Sequence, residues 1–146
     1  MQTFLPYADF KHTARCLDYR RLGKQRLEAR TILDILEGRG KIGKSGKVVW
    51  SNHPAVRMWE GYENALKIYY NVILLEWISR GYKNNMKIAK TEGRILFPPW
   101  LGDERFHSSH RSNLLRKSKY YRQFDWEESP EKPYFWPSQE DDYGKA

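Results

Sequence analysis

Apolar positions recur at helical spacing along most of the chain and alternate nowhere for long enough to make a strand, so the expected class is all-α. A first helix is predicted over residues 12–37, with Leu17, Leu22, Leu27, Ile32, Leu33, Ile35 and Leu36 supplying apolar contacts. It should stop at Gly38, because a glycine-rich cationic stretch follows. A second, longer helix is predicted over residues 54–80: Ser51 or Asn52 can cap it, Pro54 suits its first turn and Gly81 suits its end. Trp59, Tyr62, Leu66, Tyr69, Ile73 and Glu76/Trp77 keep helical spacing for about five turns, the profile of a central core helix. Asp103 is a plausible cap for a third helix reaching Lys117. The N-terminal arm should be irregular, since Pro6 disfavours helix there. Residues 120–137, dense in aromatics and prolines, should wrap over the helices. The expectation is a compact domain of three main helices over 1–124, with an acidic, aromatic tail over 125–146 packing on it.

One polar cluster breaks this pattern. Arg21, Lys24, Gln25 and Glu28 recur at i, i+3, i+4 and i+7 and share a face, and the same arc continues through Ile32 and Ile35, which normally point at a core. Two cations, an amide and a carboxylate in a buried stripe must pair with one another, meet water in a cleft, or meet a polyanion. The alternative is the solvated face of a basic helix. Gly23, in the middle, weakens the helix prediction locally.

Composition narrows the partners. The net charge is +8 over 146 residues. Seven acids against Lys132 and Lys145 put −5 on residues 125–146, leaving +13 on the body. A body that basic and rich in Tyr and Trp favours nucleic acid. A lone cysteine, Cys16, excludes a disulfide framework and points to a reducing compartment. The start has no basic-then-apolar leader, and the longest apolar run, Val72 to Leu75, is far short of a membrane span. A soluble intracellular protein, cytoplasmic or nucleoid-associated, without a membrane partner, is expected.

Residues 38–45 match the phosphate-loop pattern GxxxxGK[ST] letter for letter. That chemistry needs a strand leading in and a helix leading out, whereas here a helix leads in, so Lys44 is expected to touch a phosphate backbone from a flexible loop. His107 and His110, with Asp103 and His53, contain the residue types of a metal site but no third ligand at a recognisable spacing. The same helix carries Arg105, Ser108, Ser109, Arg111 and Ser112, donors suited to phosphate oxygens. Among the tryptophans, Trp59 and Trp77 belong to the core pattern, and Trp100, beside two prolines, suits a surface contact.

In their order these parts resemble the family of pyrimidine-dimer DNA glycosylases and endonuclease V. The resemblance rests on the arm leading to YRRLGKQR at 19–26, the segment from His53 through Arg80-Gly81-Tyr82, and Lys119-Tyr120-Tyr121. It implies a small all-α repair enzyme that cleaves the glycosidic bond of a damaged base and nicks the abasic site by β-elimination. The implied nucleophile is the α-amine of the first residue, forming an imine with sugar C1′, assisted by a glutamate on the first helix. An α-amine has a reference pKa near ~8, so a useful fraction is neutral at physiological pH.

The sequence departs from the family pattern in two places. Gln2 is large enough to leave Met1 in place, so Met1 carries the amine, with Lys24 the alternative imine former. Arg21 stands where the family's glutamate belongs, and Glu28, two turns along the same face, is favoured over Asp18 as its substitute. The catalytic candidates are therefore Met1, Glu28 and Lys24; Arg21, Gln25, Asp18 and His53 are candidates for holding the extruded nucleotide. Arg20, Arg26, Lys44, Trp100, His107, His110, Arg111 and Lys117 are expected to position the DNA backbone. The expected partner is double-stranded DNA bound by a monomer, with no metal or organic cofactor, since imine chemistry proceeds without one. The competing functions are a non-catalytic nucleic-acid-binding module on the same fold, and a protein-interaction adaptor that ignores DNA at any salt.

Overall fold

The computed structural model describes residues 1–137. It contains α1 (Phe10–Cys16), α2 (Tyr19–Leu36), α3 (Pro54–Arg57), α4 (Glu63–Ser79) and α5 (Glu104–Lys117), followed by a 3₁₀ helix over Lys119–Phe124. Among the described residues there is no strand, only an isolated antiparallel bridge between Ile42 and Val48, so the all-α class holds. No helix among them is long and apolar enough to cross a membrane. The acids Glu140, Asp141 and Asp142 of the expected tail lie outside the described residues.

Each of the first two predicted helices is split. Leu17 and Asp18 are extended between α1 and α2. Asp18 is held there by Tyr121, whose hydroxyl accepts from the Asp18 N–H and donates to its carboxylate. Arg80 reaches back from the end of α4 to the carbonyls of Ala14 and Arg15, each at 3.1 Å, and satisfies the last turn of α1. The second break spans residues 58–62 and contains Gly61, whose φ of +88° lies in the left-handed region that suits glycine. Neither Ser51 nor Asn52 caps α3; His53 does, its Nδ1 accepting from the Ala55 N–H. Asp103 caps α5 as expected.

The core lies chiefly between α2 and α4, with α1 also packed on α4. Leu22, Ala29, Ile32 and Leu33 of α2 meet Ala65, Leu66, Tyr69, Ile73 and Leu74 of α4, all essentially sealed from solvent. Burial of each large aliphatic side chain contributes about 1.5–3 kcal/mol. Gly23 does not interrupt α2, because its role is packing: a Cβ there would stand 2.8 Å from Cζ3 of Trp77. That indole cannot retreat. Its Nε1 donates to the Lys83 carbonyl at 2.8 Å, and the Arg26 guanidinium lies over it at 4.1 Å. Gly23→Ala is therefore expected to destabilise the protein by about 1–2 kcal/mol, overpacking outweighing the better helix propensity of alanine. A urea midpoint at or above that of the unmodified protein would contradict this packing account.

The segment after the 3₁₀ helix lies along α5 as a strap. Ser112 donates to the Ser129 carbonyl, Asn113 to Lys132 at 3.1 Å and Arg116 to Pro130 at 2.9 Å, while Ser109 accepts from the Phe135 N–H. The serines of α5 thus bind the chain itself, correcting the expectation that they present donors to phosphates. Arg111 is likewise committed, to Glu128, Glu104 and the Pro6 carbonyl, and its side chain is only 13% exposed.

Candidate functional site

The first six residues form an extended arm without a strand partner, so their buried polar groups need side-chain partners. Four elements supply them. Trp59 Nε1 donates to Thr3 Oγ1 at 3.0 Å. From α2, Gln25 accepts from the Phe4 N–H at 3.0 Å and donates to the Gln2 carbonyl at 3.0 Å. From α4, the Tyr69 hydroxyl lies 2.8 Å from the Phe4 carbonyl and 2.9 Å from Gln25 Oε1, with one proton to serve both. Burial pushes the Tyr69 phenol well up, which keeps that proton in place.

From α5, His110 Nδ1 accepts from the Leu5 N–H at 2.9 Å, and His107 Nδ1 faces the Leu5 carbonyl at 2.7 Å. The Gly102 N–H donates to His107 Nε2, so the His107 proton sits on Nδ1 and goes to Leu5. Burial lowers both imidazoles, His110 to about 3, so both are neutral at physiological pH. His107 and His110 are therefore anchors of the arm, sealed from solvent, and present no face to DNA. This differs from the expectation for them because α5 turns that face, with Phe106 and Leu114, into the core. Trp100 is also buried, 3% exposed, with Nε1 donating to the Met58 carbonyl and its ring edge-on to Trp59; it is not a surface contact.

The anchored arm ends in a cleft of about 380 Å³ lined by Met1, Gln2, Phe4, Tyr134 and a run of predicted residues. These are Arg20, Arg21, Lys24, Gln25, Glu28 and Lys117. The arc on α2 thus spans the cleft wall: Lys24 is exposed, Arg21 and Glu28 are half-buried, and Gln25 is sealed. Glu28 Oε2 accepts from Gln25 Nε2 at 2.9 Å, linking the carboxylate to the amide that fixes the arm. Gln25 is spent on the arm and is a positioning residue, not a contact for an incoming nucleotide. Arg21 pairs with Asp18 at 3.3 Å.

Positive charge dominates this cleft. Lys117 is pushed down, first by burial and then by Arg21, Arg116 and Lys24, the signature of cations crowded without enough anions. A second hollow of about 590 Å³ shares Arg20, Arg21 and Lys117 and adds Asp18, Tyr19, Arg80, Tyr82 and Tyr120. Tyr19 and Tyr82 are half-exposed there, next to Arg20, which is fully solvated. Another cleft, of about 420 Å³, carries Glu37, Glu63 and Glu92 against Lys67 and Arg94, a balance that would repel phosphate.

His53 lies outside the cleft wall, half-buried between Trp50 and Trp136. Its imidazole is lowered by burial and by the positive charge of the N-terminal amine, so the two face each other electrostatically. Arg26 is held by Trp77, Gly23 and Asn84 and contributes nothing to the cleft. Lys44 is exposed on the loop after α2, away from the cleft; that loop has neither the leading strand nor the following helix of a phosphate loop. Gln2, Phe4 and Tyr134 are the wall residues that sequence reasoning missed. The arm's proximity in sequence to Met1 pointed to the first two, and nothing local pointed to Tyr134.

The family model for pyrimidine dimer DNA glycosylase matches residues 1–90, which contain the arm, Trp59, α2 and α4. No curated protein and no solved structure matches the chain.

Proposed function

The chain belongs to the pyrimidine dimer DNA glycosylase family, and on that footing we propose that it excises the damaged base through the Met1 amine and then cuts the abasic strand as a lyase. The observation that carries this is the anchored arm, which brings Met1 to the wall of a cationic cleft that Glu28 also lines. The Met1 nitrogen attacks C1′ of the extruded nucleotide, the bond from C1′ to the base breaks, and loss of a proton from nitrogen with opening of the sugar gives the imine. Abstraction of a C2′ proton then expels the 3′ phosphate. Glu28, which lines the same cleft, carries those protons and stabilises the sugar cation in this reading. Arg20, Arg21, Lys24 and Lys117 hold phosphates of double-stranded DNA, which a single copy of the chain suffices to bind.

Borohydride trapping on abasic-site duplex, followed by mass spectrometry, tests the reading. The expected result is one adduct on Met1. An adduct on Lys24 moves the nucleophile to α2, and binding without any adduct favours the non-catalytic DNA-binding module. Glu28→Gln is expected to lower single-turnover strand cleavage by about a hundredfold or more, the usual worth of a positioned proton carrier, with DNA affinity kept or raised. Cleavage at the unmodified rate would remove Glu28 from proton transfer.

A further inference from the structure

Gln2 is 5% exposed and lines the cleft, yet its side-chain Nε2 has no hydrogen-bond partner among the described residues. The orientation of the amide is settled by its other end: Oε1 accepts from the Thr3 N–H at 2.9 Å. A flipped amide would set two donors against each other, so the nitrogen is the atom left over. The backbone gives it no freedom to seek a partner elsewhere, because the Gln2 carbonyl is tied to Gln25 and Thr3 is locked by Trp59. Buried donors without acceptors are uncommon and destabilising, and an incoming oxygen relieves them.

The rest of the wall indicates what that oxygen belongs to. Arg20, Arg21, Lys24 and Lys117 are charged donors suited to phosphate; Glu28 is an acceptor; Gln25 is fully engaged; Phe4 and Tyr134 are aromatic. Gln2 and the Tyr134 hydroxyl are the uncharged side-chain donors of this wall free for a neutral acceptor, and of the two it is the Gln2 amide nitrogen that is buried without a partner. Gln2 is also one peptide unit from the Met1 nitrogen, about 3.8 Å from Cα to Cα, so it adjoins whatever that nitrogen attacks.

We propose that Gln2 is a specificity residue whose side-chain amide donates a hydrogen bond to a carbonyl oxygen of the damaged pyrimidine held in the cleft. This rests on the reading above that the cleft takes the extruded nucleotide. The amide nitrogen is covered at the cleft wall, next to half-buried Met1.

The test measures equilibrium binding of three duplexes: one with a cyclobutane pyrimidine dimer, one with an abasic site and one undamaged. Gln2→Glu keeps the acceptor for Thr3 and deletes the donor; Gln2→Met deletes both while keeping length, and near-UV circular dichroism reports whether each variant is folded. The preference for dimer-containing over undamaged duplex is expected to fall about tenfold in both variants, the worth of a lost hydrogen bond that strands a buried carbonyl. The fall should be confined to the duplex that carries a base to read. An unchanged preference, an equal loss on abasic duplex, or an unmodified protein without any preference for the dimer would each overturn the proposal. Failure of the Met1 reading is a separate event: it appears as a missing borohydride adduct in the unmodified protein, whereas the binding ratios still report on Gln2.

Discussion

A chain carrying one glycine ahead of Met1 is expected to lose imine formation almost completely while binding DNA as tightly as before. The extension turns the Met1 amine into an amide, which is not a nucleophile, and sets the new amine about 3.5 Å further along the chain. The arm cannot slide back to compensate. Thr3 is held by Trp59, Phe4 by Gln25 and Tyr69, and Leu5 by His107 and His110, so a shift of one residue would break every one of these bonds. Misplacement of a reacting atom by even 1 Å can cost about a hundredfold, and trapped product should fall by at least that. The cleft cations proposed to meet phosphate are untouched, so affinity and its slope against salt should be preserved. Trapping at the original rate would show that the amine of the first residue is not the nucleophile and would point to Lys24.

The second large effect is on stability in mild acid. His110 is sealed in the core, with its Nδ1 given to the Leu5 N–H, and burial lowers it to about 3. In the unfolded chain it takes a proton near the ordinary histidine value of ~6.5, while the folded protein refuses it until about pH 3. Stability contributed by His110 is therefore complete above ~6.5 and is lost as pH falls through the window between, at about 1.4 kcal/mol per pH unit. At pH 5 the loss from His110 alone is about 2 kcal/mol, before most carboxylates begin to titrate. His107 and His53, also lowered, add to it in the same direction. Urea midpoints at pH 7.5, 6 and 5 measure this, and His110→Leu should flatten the profile while lowering stability at pH 7.5, where Leu5 loses its acceptor. A profile equally steep in that variant would assign the acid sensitivity elsewhere.

The cleft was legible in sequence where its logic is local. Arg21, Lys24, Gln25 and Glu28 meet because four residues of one helix at 3.6-residue spacing have no choice but to share a face. The same regularity found the buried stripe of α4 and the cap at Asp103. What was not legible joins residues far apart in the chain: Leu5 to His110, Phe4 to Gln25, Asp18 to Tyr121. The errors on α5 share one physical cause. Histidine, serine and arginine offer the same donors to a phosphate and to a backbone carbonyl, and only burial distinguishes the two uses. That burial comes from the arm on one side and the strap on the other, neither of which has a periodicity of its own. The breaks at Leu17–Asp18 and over residues 58–62 were not legible for a related reason, since apolar spacing continues across both while tertiary contacts turn the chain.

The way the arm is held also sets the order in which the protein becomes competent during synthesis. The arm is made early, but the partners of Leu5 on α5 follow more than a hundred residues later, and Tyr134 later still. A nascent chain that has emitted α2 and α4 carries the amine with only part of its cradle. The arm thus waits for the far part of the chain, and a translation product cut short before α5 would lack two of the anchors that fix the position of the proposed nucleophile.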